Sequence, residues 1–292
     1  MVAQGKNEPT FHQQPSQPGF AMPPFACDAH CHVFGPTAVF PYADNARFRP
    51  ADAPKERLFA LHDMLGIERC VIVQSGCHGY DNSVVADAIA ARPQTYKGIA
   101  LVPADISDQD LDHLAEQGFC GVRFNYMAHL DGGATLKQVA GLARRLERLH
   151  WHVQVHLESA LLVDMAPALA AMPVPVVIDH MARIDASEPI TQAPFEALVR
   201  LLEHEHIWIK VSGLERASRT EPPWLDAVPF AEQLVNAFPQ RALWGTDWPH
   251  PNFRAAPPDD GAIVDMIPRF ATTPELRQAL LVDNPARFYG FN

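Results

Sequence analysis

Short apolar stretches recur eight times along the chain, and segments with a helical pattern separate most of them. The apolar stretches are rich in β-branched residues, which is typical of strands that are buried on both faces. The predicted strands lie in the segments ACDAHCHVF, ERCVIVQSG, YKGIALVPA, GVRFNYM, HVQVHLES, PVVIDHM, IWIKVSG and RALWGTDWPH. Strands that alternate with amphipathic helices predict an α/β fold, and eight such units favour a single (β/α)8 TIM barrel over an open sheet.

The N-terminal segment has a different composition from the remainder of the chain. Residues 1–25 are rich in Gln, Pro and Ser and show little periodicity, so we predict a Pro/Gln-rich tail there. Residues 26–292 then form the barrel. The tail is expected to lie on the barrel surface or on a neighbouring subunit of a homo-oligomer. No G-x-G-x-x-G motif follows the first strand, which disfavours a dinucleotide-binding fold.

The chain is acidic. It has 34 Asp and Glu against 23 Lys and Arg, a formal net charge of -11 with neutral histidines. This charge repels phosphate backbones and no basic stretch offsets it, so nucleic acid is not an expected partner.

No apolar run reaches the roughly 18 residues that a membrane helix needs, and the N-terminus lacks a secretory-signal pattern. The five cysteines contain no C-x-x-C pair and indicate reduced thiols. We therefore expect a cytoplasmic protein that does not cross a membrane.

Polar side chains follow the predicted strands, where a barrel of this kind builds its active site. The residues at these strand ends are Asp28, His30, His32, Gln74, Ser75, His78, Arg123, Asn125, His156, Glu158, Asp179, His180, Lys210, Ser212, Arg216, Asp247 and His250. Histidines at the ends of several different strands are not expected from random placement. The pattern predicts a chemical site at the barrel mouth.

His30 and His32 lie two positions apart, so a strand directs both rings to the same face. Two neutral imidazoles that converge on one point suit a divalent metal. Other strand ends add further candidates, namely His156, His180 and Asp247. Asp247 follows an apolar strand, between two tryptophans. It suits a general base that takes a proton from water, or a metal ligand that does so through bound water.

Arginines close two of the predicted strands and follow a third. Arg123, Arg216 and Arg183 are candidates for fixed recognition of substrate carboxylates, because a guanidinium group matches a carboxylate with two parallel hydrogen bonds. Asp179 precedes His180 and is expected to point outward or to lie behind the site. Further candidate donors to the substrate are Ser75, His78 and His129.

A set of motifs extends over almost the whole predicted barrel. They are DAHCHVFGP, VIVQSGCHGYDN, GVRFN, PVVIDHMAR, LWGTDWPHPN, PDDGAIVDMIPR and NPARFYGF. Together they resemble the amidohydrolase superfamily and, within it, the 2-pyrone-4,6-dicarboxylate lactonases. The resemblance implies an enzyme that hydrolyses this dicarboxylated cyclic ester reversibly to an open-chain oxalomesaconate-type acid, in bacterial catabolism of lignin-derived aromatic acids.

The resemblance also implies roles for the residues at the strand ends. Asp247 would be the general base that activates water. Arg123 and Arg216 would hold the two substrate carboxylates. The side chains that would polarise the lactone carbonyl are those of His30, His32 and His180.

The chain departs from the lactonase pattern in three places. His156 replaces a tyrosine at the end of strand five, His129 replaces an arginine after strand four, and Phe48 replaces a tyrosine in the loop after strand one. Each change removes a substrate contact of the expected type. Both 2-pyrone-4,6-dicarboxylate and a related muconolactone therefore stay candidates for the substrate.

His156 also bears on a metal. The lactonases that the chain resembles are expected to work without a metal, whereas metal-dependent relatives have a histidine at the end of strand five. One Zn²⁺ or Mn²⁺ would take as ligands His30, His32, His156 and Asp247. Metal-free hydrolysis is the alternative.

Other function classes explain the pattern less well. A metal-dependent decarboxylase of an aromatic or muconic acid would use the same barrel, and its product distinguishes it from a hydrolase. A ligand-binding barrel without catalysis conflicts with the candidate base and histidines. A retaining glycosidase needs paired carboxylates, and a serine hydrolase needs a G-x-S-x-G turn that the chain lacks.

Overall fold

The computed structural model describes residues 9–127, 134–253 and 256–291. Within them, eight strands form one sheet in the order in which they occur along the chain, and each neighbouring pair is parallel. The strands are β1 Cys27–Cys31, β2 Arg69–Val73, β3 Tyr96–Leu101, β4 Phe119–Tyr126, β5 His152–Leu157, β6 Val176–Ile178, β7 Ile207–Lys210 and β8 Ala242–Leu243.

Backbone hydrogen bonds close the sheet between its last and first strands. The amide of Ala29 donates to the carbonyl of Trp244 at 2.8 Å, and the amide of Asp247 donates to the carbonyl of His30 at 2.7 Å. Gly245 permits this approach, since a Cβ atom there would lie 2.5 Å from the amide nitrogen of His30. The predicted single (β/α)8 barrel is confirmed, although β8 itself is only two residues long.

Helices cover the outside of the barrel and follow nearly every strand. They are α1 Lys55–Leu65, α2 Ser83–Ala91, α3 Asp108–Glu116, α4 Leu136–Leu146, α5 Ser159–Ala170, α6 Ala193–Leu201, α7 Leu214–Ala217, α8 Val228–Ala237, α9 Asp260–Asp265, α10 Ile267–Phe270, α11 Pro274–Gln278 and α12 Asn284–Tyr289. Short 3-10 turns occupy Gly76–His78, Glu147–Leu149, His180–Arg183 and Leu225–Ala227, and a π-helical turn occupies Ala279–Asp283. None of the helices in the described residues is long and apolar enough to span a membrane.

Side chains point alternately to the inside and the outside of the barrel along each strand, and this separates two apolar clusters. On β2, Val71 and Val73 belong to the cluster inside the barrel, while Cys70 and Ile72 pack outward against the helices. On β1 the pairing with β2 is irregular between Asp28 and Cys31. At a β-bulge, two consecutive side chains of a strand can face the same side of the sheet. The irregularity in β1 thus lets His30 face the interior of the barrel.

The N-terminal segment lies against the barrel without forming a helix or strand in residues 9–25. The ring of Phe11 is buried and packs on Trp248, with ring centroids 5.2 Å apart. Thr10 Oγ1 donates to the carbonyl of Pro249, and the amide of Ser16 donates to Asp259 Oδ1 at 2.9 Å. The segment therefore contacts the loop that follows β8.

Candidate active site

A cavity of about 610 Å³ opens at the carboxyl ends of the strands. Most of the residues predicted for the site line this cavity: His32, Ser75, Arg123, His156, His180, Arg183, Arg216 and Asp247. His30 lies buried beneath it, and His78 lines an adjoining cavity of about 330 Å³. His129 lies outside the described residues. The structure thus brings residues from several strand ends to one place, as the parallel barrel requires.

Asp247 lies at the centre of the cluster. Three imidazole nitrogens face its Oδ1: the Nε2 atoms of His32 at 3.3 Å, His30 at 3.7 Å and His180 at 3.7 Å. Arg216 donates from Nε to its other oxygen, Oδ2. Burial alone would raise the pKa of Asp247, but the positive charge of Arg216 and the nearby imidazoles lower that pKa well below its usual value. Asp247 is therefore a carboxylate at neutral pH.

The hydrogen bonds of the rings determine what each presents to Asp247. His32 Nδ1 lies 2.7 Å from the carbonyl oxygen of Val73, which can only accept, so His32 carries a proton on Nδ1. The other nitrogen of this ring, Nε2, is the one that lies 3.3 Å from Oδ1 of Asp247, and the contact is among the causes that lower the pKa of Asp247. His180 Nδ1 lies 3.0 Å from Ser212 Oγ, and burial lowers the pKa of His180 well below its usual value.

A buried polar network supports the cluster from below. Asp179 Oδ2 accepts from Arg123 Nε at 2.8 Å and from Gln154 Nε2 at 3.0 Å. Lys210 Nζ donates to Gln154 Oε1 at 2.8 Å and contacts His30 Nδ1 at 3.1 Å. Burial would raise the pKa of Asp179, but His30, Arg123 and Lys210 lower it well below the usual value. Asp179 thus lies behind the site, one of the two positions expected for it.

Sequence reasoning assigned no role to Lys210 or Gln154. Lys210 is fully buried, and burial lowers its pKa to about 8. A signal for both residues existed in the strand alternation. Gln154 lies two positions before His156 on β5, and Lys210 lies two positions after Trp208, which packs inside the barrel.

Basic side chains surround the open part of the cavity. Arg123, Arg183 and Arg216 line it together with Arg47, which comes from the loop after β1 and was not predicted. Burial and the charge of Arg216 lower the pKa of Arg183 to about 10, so Arg183 is still a cation at neutral pH. Phe48 also lines the cavity. The arrangement can bind a small molecule with more than one negative charge.

Comparison with known proteins identifies the family. Residues 27–291 match the family described as amidohydrolase. The chain belongs to this family. The amidohydrolase is 43% identical over 288 residues to a 2-pyrone-4,6-dicarboxylate hydrolase of Comamonas testosteroni, which covers 96% of this chain and 94% of that protein. It is 39% identical over 277 residues to a 4-sulfomuconolactone hydrolase of Rhizobium radiobacter, covering 93% and 92% of the two chains.

Solved structures of similar proteins share this amidohydrolase barrel. A probable 2-pyrone-4,6-dicarboxylic acid hydrolase from Acinetobacter baumannii, with citric acid bound, superimposes with a TM-score of 0.81 and 28% identity. That match covers 91% of this chain and all of the other chain. The resemblance to amidohydrolases expected from the motifs is confirmed.

The amidohydrolase site contains residues that could hold a metal ion. One ligand atom each from His30, His32 and Asp247 lies within 4.8 Å of the others, and all three residues are buried. His156 is in none of the candidate groups found among the described residues, which differs from the predicted ligand set. Its Nδ1 lies 3.2 Å from Oδ1 of Asn125, its neighbour in the register of β4 and β5, and its Nε2 is buried with no hydrogen-bond partner among the described residues.

Two further contacts hold the loop that carries Asp247 in this amidohydrolase. Asp28 Oδ1 accepts from the amides of His30 at 2.9 Å and Thr246 at 3.1 Å, which joins β1 to the residue before Asp247. His250 Nε2 lies 3.1 Å from Asp260 Oδ1, and both side chains are fully buried. Asp28 and His250 were recognised as polar strand-end residues, whereas their supporting contacts are long-range and have no local sequence signal.

Proposed function

We propose that this amidohydrolase is a lactonase that hydrolyses 2-pyrone-4,6-dicarboxylate reversibly to an open-chain oxalomesaconate-type acid. One observation carries the proposal: the buried carboxylate of Asp247 faces three imidazoles at the base of a cavity that arginines surround. The relatives named as lactone hydrolases support the same reaction class.

Asp247 is the general base in this proposal. Oδ1 accepts a proton from water while the water oxygen attacks the lactone carbonyl carbon. The ring C–O bond then breaks, and the same proton passes from Asp247 to the departing ring oxygen. Arg216 fixes Oδ2, so that Oδ1 is the oxygen left to face the imidazoles and the reacting water.

The histidines stabilise the negative charge that develops on the carbonyl oxygen. Burial lowers the pKa of His30 to about 3 and that of His180 well below its usual value, so both rings are neutral. A neutral ring with its proton on Nε2 donates a hydrogen bond to the carbonyl oxygen and strengthens it as charge accumulates. His30 and His180 thus polarise the lactone carbonyl, and His32 is the imidazole nearest to Asp247.

The arginines bind the substrate carboxylates. Arg123 is oriented by its Nε hydrogen bond to Asp179, and Arg216 by its bond to Asp247. Arg183 adds a third cation at the cavity wall. Ser75 lines the cavity as well. His78 lines the adjoining cavity, and its Nδ1 donates to the carbonyl of Pro41 at 3.2 Å.

The residues present also fit one divalent cation, Zn²⁺ or Mn²⁺. His30 Nε2 is buried with no hydrogen-bond partner among the described residues, and His32 Nε2 lies 3.3 Å from Asp247 Oδ1. In this alternative to metal-free hydrolysis, His30 would carry its proton on Nδ1 and hold the ion together with His32 and Asp247. The ion would supply Lewis-acid polarisation of the lactone carbonyl. His156 is proposed to contact substrate instead of metal.

The test follows the ultraviolet absorbance of 2-pyrone-4,6-dicarboxylate with purified protein of known metal content, with and without chelator. Loss of absorbance with release of a proton and no carbon dioxide supports hydrolysis, while carbon dioxide release indicates the decarboxylase. Full activity at far less than one metal per chain in chelator removes the cation from the proposal. No reaction in either arm, with metal present, contradicts the pyrone as substrate.

A second candidate substrate is 4-sulfomuconolactone. The 39% identity to a hydrolase of that name favours it, and guanidinium groups bind sulfonate oxygens as well as carboxylates. The two lactones are compared by kcat/KM in the same assay series, and the larger value identifies the better substrate.

A further inference from the structure

Lys210 is a fully buried cation to which the proposed reaction assigns no role. It ends β7 beneath the cavity, and its Nζ contacts three groups: Gln154 Oε1 at 2.8 Å, His30 Nδ1 at 3.1 Å and Asp179 Oδ1 at 3.6 Å. A buried ammonium group is costly unless its surroundings hold it. These contacts fix its position directly behind one of the three imidazoles that face Asp247.

The contact between Lys210 and His30 determines which ring nitrogen carries the proton. An ammonium group has N–H donors and no lone pair, so His30 Nδ1 must accept. A neutral imidazole that accepts at Nδ1 has its proton on Nε2, the atom that faces Asp247 Oδ1.

Asp179 is the competing partner, and its geometry is unfavourable. Its Oδ1 lies 3.3 Å from His30 Nδ1, yet it has no hydrogen-bond partner in the part of the chain that the structure describes. The ring nitrogen is therefore directed at Lys210. Gln154 holds both Lys210 and Asp179 in place, since its Oε1 accepts from Lys210 while its Nε2 donates to Asp179 Oδ2.

We propose that Lys210 is a positioning residue that holds His30 with its proton on Nε2, as a hydrogen-bond donor to the lactone carbonyl oxygen and not as a metal ligand. A histidine that ligates a metal uses a lone pair and donates its other N–H to a carboxylate or carbonyl. His32 has that arrangement, with Nδ1 on the carbonyl of Val73, whereas His30 has the reverse.

His30 becomes a ligand only when its proton moves to Nδ1 and Asp179 accepts it, and Lys210 opposes this change by occupying the Nδ1 side. Removal of Lys210 therefore converts His30 from a donor toward the substrate into a ligand for a cation.

The assignment of carbonyl polarisation to His30 rests on the proposed function, and the first readout does not depend on the reaction. Nitrogen NMR of ¹⁵N-histidine-labelled protein reports the protonated ring nitrogen, and the His30→Gln variant identifies the His30 signals. The expected wild-type result is a proton on Nε2 in metal-depleted protein. A proton on Nδ1 overturns the proposal, even where no Lys210 variant folds.

The second readout is metal affinity. Lys210→Met removes the donor with little change in size, Lys210→Gln keeps an N–H donor, and Lys55→Met makes the same change in a partly exposed surface ion pair. We expect Lys210→Met to bind Zn²⁺ at least about tenfold more tightly than wild type, in line with the effect of supporting hydrogen bonds on ligating histidines. Lys210→Gln and Lys55→Met should stay close to wild type. Equal affinity in all four proteins overturns the proposal.

The third readout is kinetic. In chelator, Lys210→Met should lower kcat on the lactone by about 100-fold, the usual effect of losing one donor to a developing oxyanion, with KM little changed. Lys210→Gln should recover most of that loss. Wild-type protein that hydrolyses neither lactone contradicts the proposed function, while the NMR and metal readouts still decide the role of Lys210.

Discussion

Arg216 donates from Nε to Oδ2 of Asp247, and both side chains lie within a cavity that can also receive a substrate carboxylate. One guanidinium group thus fixes the proposed base and faces the proposed substrate. The positive charge keeps Asp247 ionised in spite of its burial, because it lowers the pKa of that carboxyl. The two roles link substrate binding to the orientation of the base.

Replacement of Asp247 by asparagine should slow turnover strongly and leave the fold intact. Asparagine has the same shape and retains an oxygen acceptor, but it cannot take a proton from water. We expect kcat to fall by about 10²- to 10⁴-fold, the usual contribution of a general base. The assay is the loss of lactone absorbance, and circular dichroism checks the fold.

The matched control is Asp63→Asn, since Asp63 is an exposed carboxylate paired with Arg92 on the surface. That variant should retain wild-type kinetics. Substantial turnover in Asp247→Asn with wild-type structure assigns the base to another residue.

Arg183 provides a test of carboxylate recognition. Unlike Arg123 and Arg216, whose Nε atoms bond Asp179 and Asp247, Arg183 is proposed to act on the substrate alone. We expect Arg183→Met to raise KM for the dicarboxylate by about 10- to 100-fold, because a hydrogen bond to a charged group contributes about 1.5–3 kcal/mol. The change in kcat should be smaller. An unchanged KM, measured beside a wild-type control, argues that Arg183 does not contact the substrate.

The barrel and much of its mouth could be predicted because both depend on local patterns. Eight apolar stretches predicted eight strands, and residues that end strands are brought together by the parallel topology. His32, His180 and Asp247 were found in this way. The pairing of His30 and His32 on one face also agrees with the structure, although the irregularity in β1 contributes to the direction of His30.

The remaining features depend on contacts between distant parts of the chain. The position of His156 beside Asn125 depends on the register in which β5 pairs with β4. The role proposed for Lys210 depends on Gln154 of β5 and on Asp179, the residue directly after β6. A sequence contains no local signal for such pairings, and only the alternation of β7 indicated that Lys210 faces inward.

His152 should make the fold sensitive to acid. It lies at the start of β5, buried against Phe288 and Tyr289, and burial lowers its pKa to about 3. In the unfolded chain this ring gains a proton near pH 6.5, whereas the folded protein does not, so stability is lost as the pH falls below about 6.5. His152 alone accounts for about 1 kcal/mol per pH unit between pH 6 and pH 4.

Urea denaturation of wild type and His152→Gln over this range measures the effect. The variant should lose unfolding free energy less steeply with falling pH, whatever its absolute stability. Identical slopes in the two proteins contradict a neutral buried His152.

His250 should show the opposite pH dependence. Burial acts to lower the pKa of His250, but the Asp260 carboxylate at 3.1 Å raises it above its usual value. A raised pKa stabilises the folded state below about pH 6.5, and that contribution is lost as the pH rises through the folded-state pKa. Between pH 6.5 and pH 8.5, the stability advantage of wild type over His250→Gln should therefore shrink. A constant difference over this interval contradicts a raised pKa of His250.

Phe11 tests whether the N-terminal segment supports the site. Its buried ring packs on Trp248, the neighbour of Asp247, and the preceding Thr10 bonds the carbonyl of Pro249. We expect Phe11→Ala to lower the unfolding free energy by about 3 kcal/mol, the lower end of the range for truncation of a buried aromatic ring. Because the lost contact lies directly behind the loop of Asp247, kcat should also fall.

The control for Phe11 is Phe25→Ala, which truncates a ring of the same segment that is 53% exposed. Its effect on stability should be much smaller and its kcat should equal that of wild type. A Phe11→Ala protein that is less stable but has wild-type kcat would show that the segment stabilises the barrel without orienting Asp247. Equal stability of the two variants would contradict the packing of Phe11 on Trp248 itself.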